Sequence, residues 1–188
     1  MQSIPVDYLN NEENRKRAQR VVNDITRILR AAGAEKVQDV MVTRLAYALY
    51  KTYSLPESVG YSYEDMLSRQ GVVLNANVKK YIDMVNPDTW HELKALTGMY
   101  SAEDFAGAAA LPFGRYGISS YSATPASVVK LAEKILDIRP QERAADMGCG
   151  AGSFLLSAAA HHPESRFTGF DTDIRFKQII DILSDIYG

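Results

Sequence analysis

The chain has 188 residues, 46% of them hydrophobic, and 21 Lys and Arg against 23 Asp and Glu give a formal net charge of −2. That length can bury a sizeable core, enough for one small domain plus part of another, while the near-neutral balance gives no global attraction to nucleic acid, so any DNA contact must be a local patch. No apolar run reaches the length of a membrane span, the N-terminus lacks a positive-then-apolar signal pattern, and one cysteine excludes an internal disulfide, so a cytoplasmic setting without membrane contact is expected.

The N-terminal half reads as helices. Asn10 or Asn11 ahead of Glu12 and Glu13 is a helix start, and Ala18, Val21, Val22, Ile25, Ile28, Leu29 and Ala32 recur at helical spacing until Gly33 stops the run. Arg15, Lys16, Arg17, Arg20, Arg27 and Arg30 give this helix a basic character. A solvated face balanced by Glu12, Glu13 and Asp24 is the preferred reading over a phosphate-contacting one. A second helix should bury Val37, Val40, Met41, Leu45, Ala46, Leu49 and Tyr50 on one side. Shorter helices are predicted over 63–69, 76–85, 87–96 and 102–110, separated by Gly, Pro and Asn signals. Asn86-Pro87-Asp88-Thr89-Trp90 fits a helix start, with Asn86 as N-cap, Pro87 at the first helical position and Trp90 toward the core. There is no internal repeat. The Gly/Ser-rich stretch 111–123 marks the expected boundary between a helical domain over 1–113 and a second domain over 114–188.

The second domain changes period. Thr124-Pro125 opens an amphipathic helix, after which Ala144 and Ala145 form a short strand ending at Asp146. Gly148, Gly150 and Gly152 then alternate into the apolar, Ala-rich run Phe154-Leu155-Leu156-Ser157-Ala158-Ala159-Ala160, a helix by length and composition. A second strand, Arg166-Phe167-Thr168-Gly169-Phe170, ends at Asp171, about where the second parallel strand of a βαβ unit should finish. A last helix buries Phe176, Ile179, Ile180 and Leu183 opposite an exposed stripe of Lys177, Asp181 and Asp185. The fold class is therefore α/β, mostly helical. His161 and His162 end the helix after the glycine turn, and without Cys or acidic partners at ligand spacing they read as surface or dipole-compensating residues, not a metal site.

The chemistry of this turn favours a nucleotide-like ligand. Glycines let backbone approach a ligand closely, the following helix presents unpaired N–H groups, and a carboxylate at the second strand tip can accept both hydrogen bonds of a ribose diol. The spacing discriminates between cofactors. A dinucleotide fingerprint wants glycine at 148, 150 and 153, but position 153 is Ser153 and the third glycine is Gly152.

This G-x-G-x-G pattern resembles motif I of S-adenosylmethionine-dependent methyltransferases. Tyr121-Ser122-Ala123-Thr124-Pro125, after Gly114-Arg115-Tyr116-Gly117, is similar to motif X of the N6-adenine DNA methyltransferases, although Ala123 stands where the family's aromatic would be. Gly169-Phe170-Asp171-Thr172-Asp173 resembles motif II. The order X, I, II is similar to the modification subunit of type I restriction-modification systems, over roughly residues 114 to 188. The resemblance implies the first βαβ unit of an incomplete Rossmann-like methyltransferase domain with S-adenosylmethionine as cofactor. Thr124, in the Thr124-Pro125 pair, would meet its methionine end, and Gly148, Gly150 and Gly152, closed by Phe154, would line its path. Asp146 would hold the methionine amino group, and Asp171 would bind the ribose hydroxyls. Cys149 stands where Cys is common in such turns, which speaks against a reactive thiol. DNA and a specificity subunit would be the partners, with the helical half helping to close over DNA.

Amino methylation in this family relies on an Asn/Asp-Pro-Pro-aromatic loop that hydrogen-bonds the target amine and stacks on the flipped base. No such tetrapeptide occurs here, and the chain stops soon after Asp171, so the expectation is an N-terminal cofactor-binding segment with no catalytic residue of its own and inactive alone. Two alternatives stand beside it. One is an assembly module with a vestigial cofactor site, homodimerising through the exposed edge of a two-stranded sheet; the other is a class I methyltransferase fragment for another substrate.

Overall fold

The computed structural model describes residues 4–5, 8–53, 60–69, 83–112 and 124–187. Most of the predicted helix over 76–85, the lead-in residues 114–123 and most of the expected domain boundary lie outside them; of that helix, Asp83 and Met84 are described and are helical. The described residues are mostly helical with one two-stranded parallel sheet, an α/β arrangement. The chain divides into two compact units, one spanning Leu9–Pro112 and the other Phe113–Gly188 together with Ser3–Tyr8.

The first unit holds α1 (Glu12–Ala31), α2 (Asp39–Thr52), α3 (Tyr63–Arg69), α4 (Pro87–Ala95) and α5 (Ala102–Ala110). Of the two candidate caps, Asn11 starts α1: its side chain accepts from the Glu13 and Asn14 amides at 2.9 and 3.2 Å. Ala18, Val21, Ile25, Ile28 and Leu29 are buried, whereas Val22 is half-buried and Ala32, past the helix end, is exposed. Asn86 caps α4 by accepting from Thr89 N–H at 2.9 Å, with Pro87 at the first helical position. Trp90 is buried, and its indole N–H donates to the Tyr61 carbonyl at 2.8 Å.

Helix α2 departs from the one-sided pattern. Val37 precedes the helix, and every residue from Met41 to Tyr50 is buried, because α1, α3 and α5 all pack around it. The small residues Ala106, Gly107, Ala108 and Ala109 of α5 allow close approach to α2. Thr43, fully buried, donates its hydroxyl to the Ala109 carbonyl at 2.9 Å. Helix α5 begins with a capping box, Ser101 and Asp104 each accepting from the other's amide.

The second unit runs α6 (Ala126–Leu136), β1 (Arg143–Met147), α7 (Ser153–His161), β2 (Arg166–Phe170) and α8 (Ile174–Tyr187). Strands β1 and β2 pair in parallel with Asp146 opposite Gly169, the chain crossing over through α7. β1 is longer than the sequence suggests: Arg143 and Met147 join it because β2 offers them Arg166 and Phe170 as partners. One sheet face, with Ala144, Asp146, Phe167 and Gly169, is covered by α7, which sets Leu155 against Gly169. The other face presents Ala145, Met147, Thr168 and Phe170 to solvent, Met147 being 77% exposed. In α8 the buried residues are Ile179, Ile182, Leu183 and Ile186, while Phe176 and Ile180 are half-buried. Ile4, itself buried, donates its amide to the Ile186 carbonyl at 3.0 Å.

Candidate functional site

The site is built where β1 ends. Gly148, Gly150 and Gly152 all take left-handed backbone, with φ of +86°, +52° and +80°, a conformation that costs other L-residues about 1–2 kcal/mol each. This reversal lets the chain leave β1 and enter α7 within five residues. The turn is tied to β2: the amides of Gly148 and Cys149 both donate to the Phe170 carbonyl, at 2.7 and 3.0 Å.

Asp171, the first residue after β2, faces the same turn. Its Oδ2 accepts from Gly150 N–H and its Oδ1 from Asp173 N–H, both at 2.9 Å. Sequence spacing placed a carboxylate at this strand tip but gave no sign that it grips the glycine turn itself. A carboxylate has about four lone-pair sites, so these two bonds leave capacity for a ligand's hydroxyls. Asp146, half-buried at the end of β1, is harder to ionise than an ordinary carboxylate, first because burial disfavours its charge and second because Asp171 is close. Burial also pushes the Cys149 thiol up, reinforced by Asp146 and Asp171, which makes its thiolate scarce and its reactivity low.

A cavity of about 410 Å³ opens beside the turn, between the end of β2 and α8. Cys149, Asp171, Asp173 and Ile180 contribute to its lining, together with Lys177 and Asp181, whose Nζ and Oδ2 lie 2.8 Å apart. The exposed stripe read from the sequence is thus in part a charged wall of this cavity; the i,i+4 spacing showed the pair but not what it faces.

Thr124 and Pro125 are exposed and immediately precede α6. The C-terminal ends of helices α6 and α7, and the loops that follow them, meet. Ser165 Oγ donates to the Arg139 carbonyl and Arg166 N–H to the Glu142 carbonyl, both at 2.9 Å. His161 Nδ1 at the end of α7 lies 3.0 Å from Glu133 Oε2 on α6. Among the described residues these bonds join the C-terminal ends of the two helices and bring neither Thr124 nor Pro125 to the glycine turn. Neither they nor Phe154, which is half-buried in the first turn of α7, line the cavity.

On α1, most of the basic side chains have acidic partners. Lys16 pairs with Glu12 at 2.7 Å, Arg17 with Asp104 at 3.2 Å, Arg20 with Glu13 at 3.6 Å and Arg27 with Asp24 at 3.3 Å. Among the described residues no cluster of three or more His, Cys, Asp or Glu could hold a metal ion, and no helix is long and apolar enough to cross a membrane. No protein-family model, curated protein or solved structure matches this chain.

Proposed function

We propose that the second unit is the cofactor-binding segment of an S-adenosylmethionine-dependent DNA adenine-N6 methyltransferase with a Rossmann-like domain. The observation behind this reading is the arrangement at the end of the parallel sheet. Three left-handed glycines join β1 to α7, and the Asp171 carboxylate from the neighbouring strand bonds directly to the middle one. In this reading Asp171 accepts the ribose hydroxyls, Asp146 receives the ammonium of the methionine tail, and Thr124 meets that tail from the start of α6. The turn presents backbone to the cofactor where side chains would block it. DNA and a specificity subunit are the partners of the whole enzyme, and methylation needs an Asn/Asp-Pro-Pro-aromatic loop that this sequence lacks.

Calorimetric titration with S-adenosylmethionine and S-adenosylhomocysteine tests the reading. Micromolar affinity, about −8 kcal/mol, lost in Asp171→Ala, is the expected result. A well-folded protein that takes up neither compound would remove the support for a cofactor role.

The open sheet face favours a second reading, an assembly module. Among the described residues β1 and β2 pair only with each other, and Met147 and Phe170 stand exposed on the uncovered side. Sedimentation would then show a concentration-dependent dimer that Met147→Lys abolishes. A monomer at all concentrations would set this reading aside.

A further inference from the structure

Four amides of the glycine turn already have acceptors inside the protein. Gly148 and Cys149 donate to the Phe170 carbonyl, Gly152 donates to the Cys149 carbonyl at 2.9 Å, and Gly150 donates to Asp171 Oδ2 at 2.9 Å. The last bond differs in kind, because its acceptor carries a full negative charge. Successive backbone N–H groups in such a turn can form a nest for an anion, and here a carboxylate of the chain itself takes the middle donor, Gly150 N–H. Its other oxygen is held by Asp173 N–H, so the group is fixed from both sides. Asp146 brings a second carboxylate to the same strand ends, and the coupling between the two raises the cost of charging Asp146.

We propose that Asp171 is a built-in anion that closes the glycine turn to phosphate, so that the site takes a nucleoside whose tail is neutral or cationic and refuses nucleoside diphosphates. This rests on the cofactor reading above and names the residue that sets the charge class of the ligand. A diphosphate entering the turn would have to displace the carboxylate from Gly150 N–H and then remain beside its charge. Removing the carboxylate reverses both terms, and it leaves Gly150 N–H beside the first turn of α7, whose dipole favours anions.

Calorimetry on the full chain with ADP and, separately, S-adenosylhomocysteine decides the matter for wild type, Asp171→Ala and Asp171→Asn. The expected result is an ADP affinity at least tenfold higher in Asp171→Ala than in wild type. Asp171→Asn, which drops the charge but keeps an acceptor, should gain less, and the Gly150 amide resonance should move on ADP addition in both variants. Should the alanine variant unfold, the asparagine variant decides alone. Wild type binding ADP as tightly as the folded variants would overturn the proposal. The S-adenosylhomocysteine titration reports independently: wild type ignoring it while a variant gains ADP sinks the cofactor reading and leaves the role of Asp171 standing. Wild type binding it with no ADP gain in either variant does the reverse.

Discussion

Gly169 of β2 lies directly against Leu155 of α7: a methyl group on its α-carbon would stand 2.5 Å from Leu155 Cδ1 and 2.7 Å from Cys149 Sγ. This contact sets how closely the helix after the glycine turn approaches the sheet. Leu155 borders the cavity, but relief would require it and Cys149, whose Cβ would stand 3.2 Å away, to shift together. Gly169→Ala should therefore destabilise the second unit by about 1–3 kcal/mol through overpacking. Urea unfolding followed by the amide signals of α7 checks this, and an unchanged midpoint would mean that Leu155 swings aside freely.

The glycines of the turn should not respond equally to alanine. A Cβ on Gly150 meets nothing within 4 Å, whereas on Gly152 it would stand 3.1 Å from Ile180 Cγ1. Gly150→Ala bears only the left-handed backbone cost of about 1–2 kcal/mol, and Gly152→Ala bears that cost plus the displacement of Ile180. Thermal unfolding of the two variants should rank Gly152→Ala as the less stable. The opposite order would contradict the packing of α8 against the turn.

Asp146 is a source of instability held at the site. Burial, then proximity to Asp171, raises its folded-state pKa above its unfolded value. The folded protein thus binds more protons through that window, and stability falls as pH rises across it. At pH 7 the charged group is disfavoured by the fold, so Asp146→Asn should raise the melting temperature there. The gain should vanish well below the ordinary Asp value of about 3.9, where the carboxyl is neutral in both states. A variant less stable than wild type at pH 7 would mean that Asp146 gains more from its charge than burial removes.

In the helical unit, Tyr100 donates its hydroxyl to Asp24 Oδ2 at 2.6 Å. Burial, then this hydrogen bond, pushes its pKa up to about 12. Because the folded pKa exceeds the unfolded one, the contribution of Tyr100 to stability is complete below the ordinary tyrosine value of about 10 and is lost as pH climbs toward the folded one. Burial pushes Tyr63 and Tyr187 higher still. Phenolate absorbance titration should show Tyr100 ionising late, and earlier in Asp24→Asn; no difference between the two proteins would remove the hydrogen bond as a cause.

Local signals were legible wherever cause and effect lie within one helical turn. Asn11 and Asn86 cap helices because their side chains reach amides two or three residues ahead, and Lys177 meets Asp181 because i,i+4 residues share a face. The burial of α2 was not legible in the same way. Thr43 and Arg44 look like the polar side of an amphipathic helix, and it is the packing of α1, α3 and α5 around α2 that makes them interior, Thr43 meeting the Ala109 carbonyl from more than sixty residues further on.

The sequence by itself determined that a strand, a turn of alternating glycines, a helix and a second strand ending in Asp171 follow one another, since glycine content and apolar period are local properties of the chain. Tertiary structure decided what those parts do to each other. Parallel pairing brings Phe170 and Asp171 to the turn, so that the carboxylate grips Gly150, and it sets Gly169 beneath Leu155. It also leaves the face of Met147 and Phe170 open. Those outcomes depend on distances between residues far apart in the chain, and no spacing along the chain encodes them.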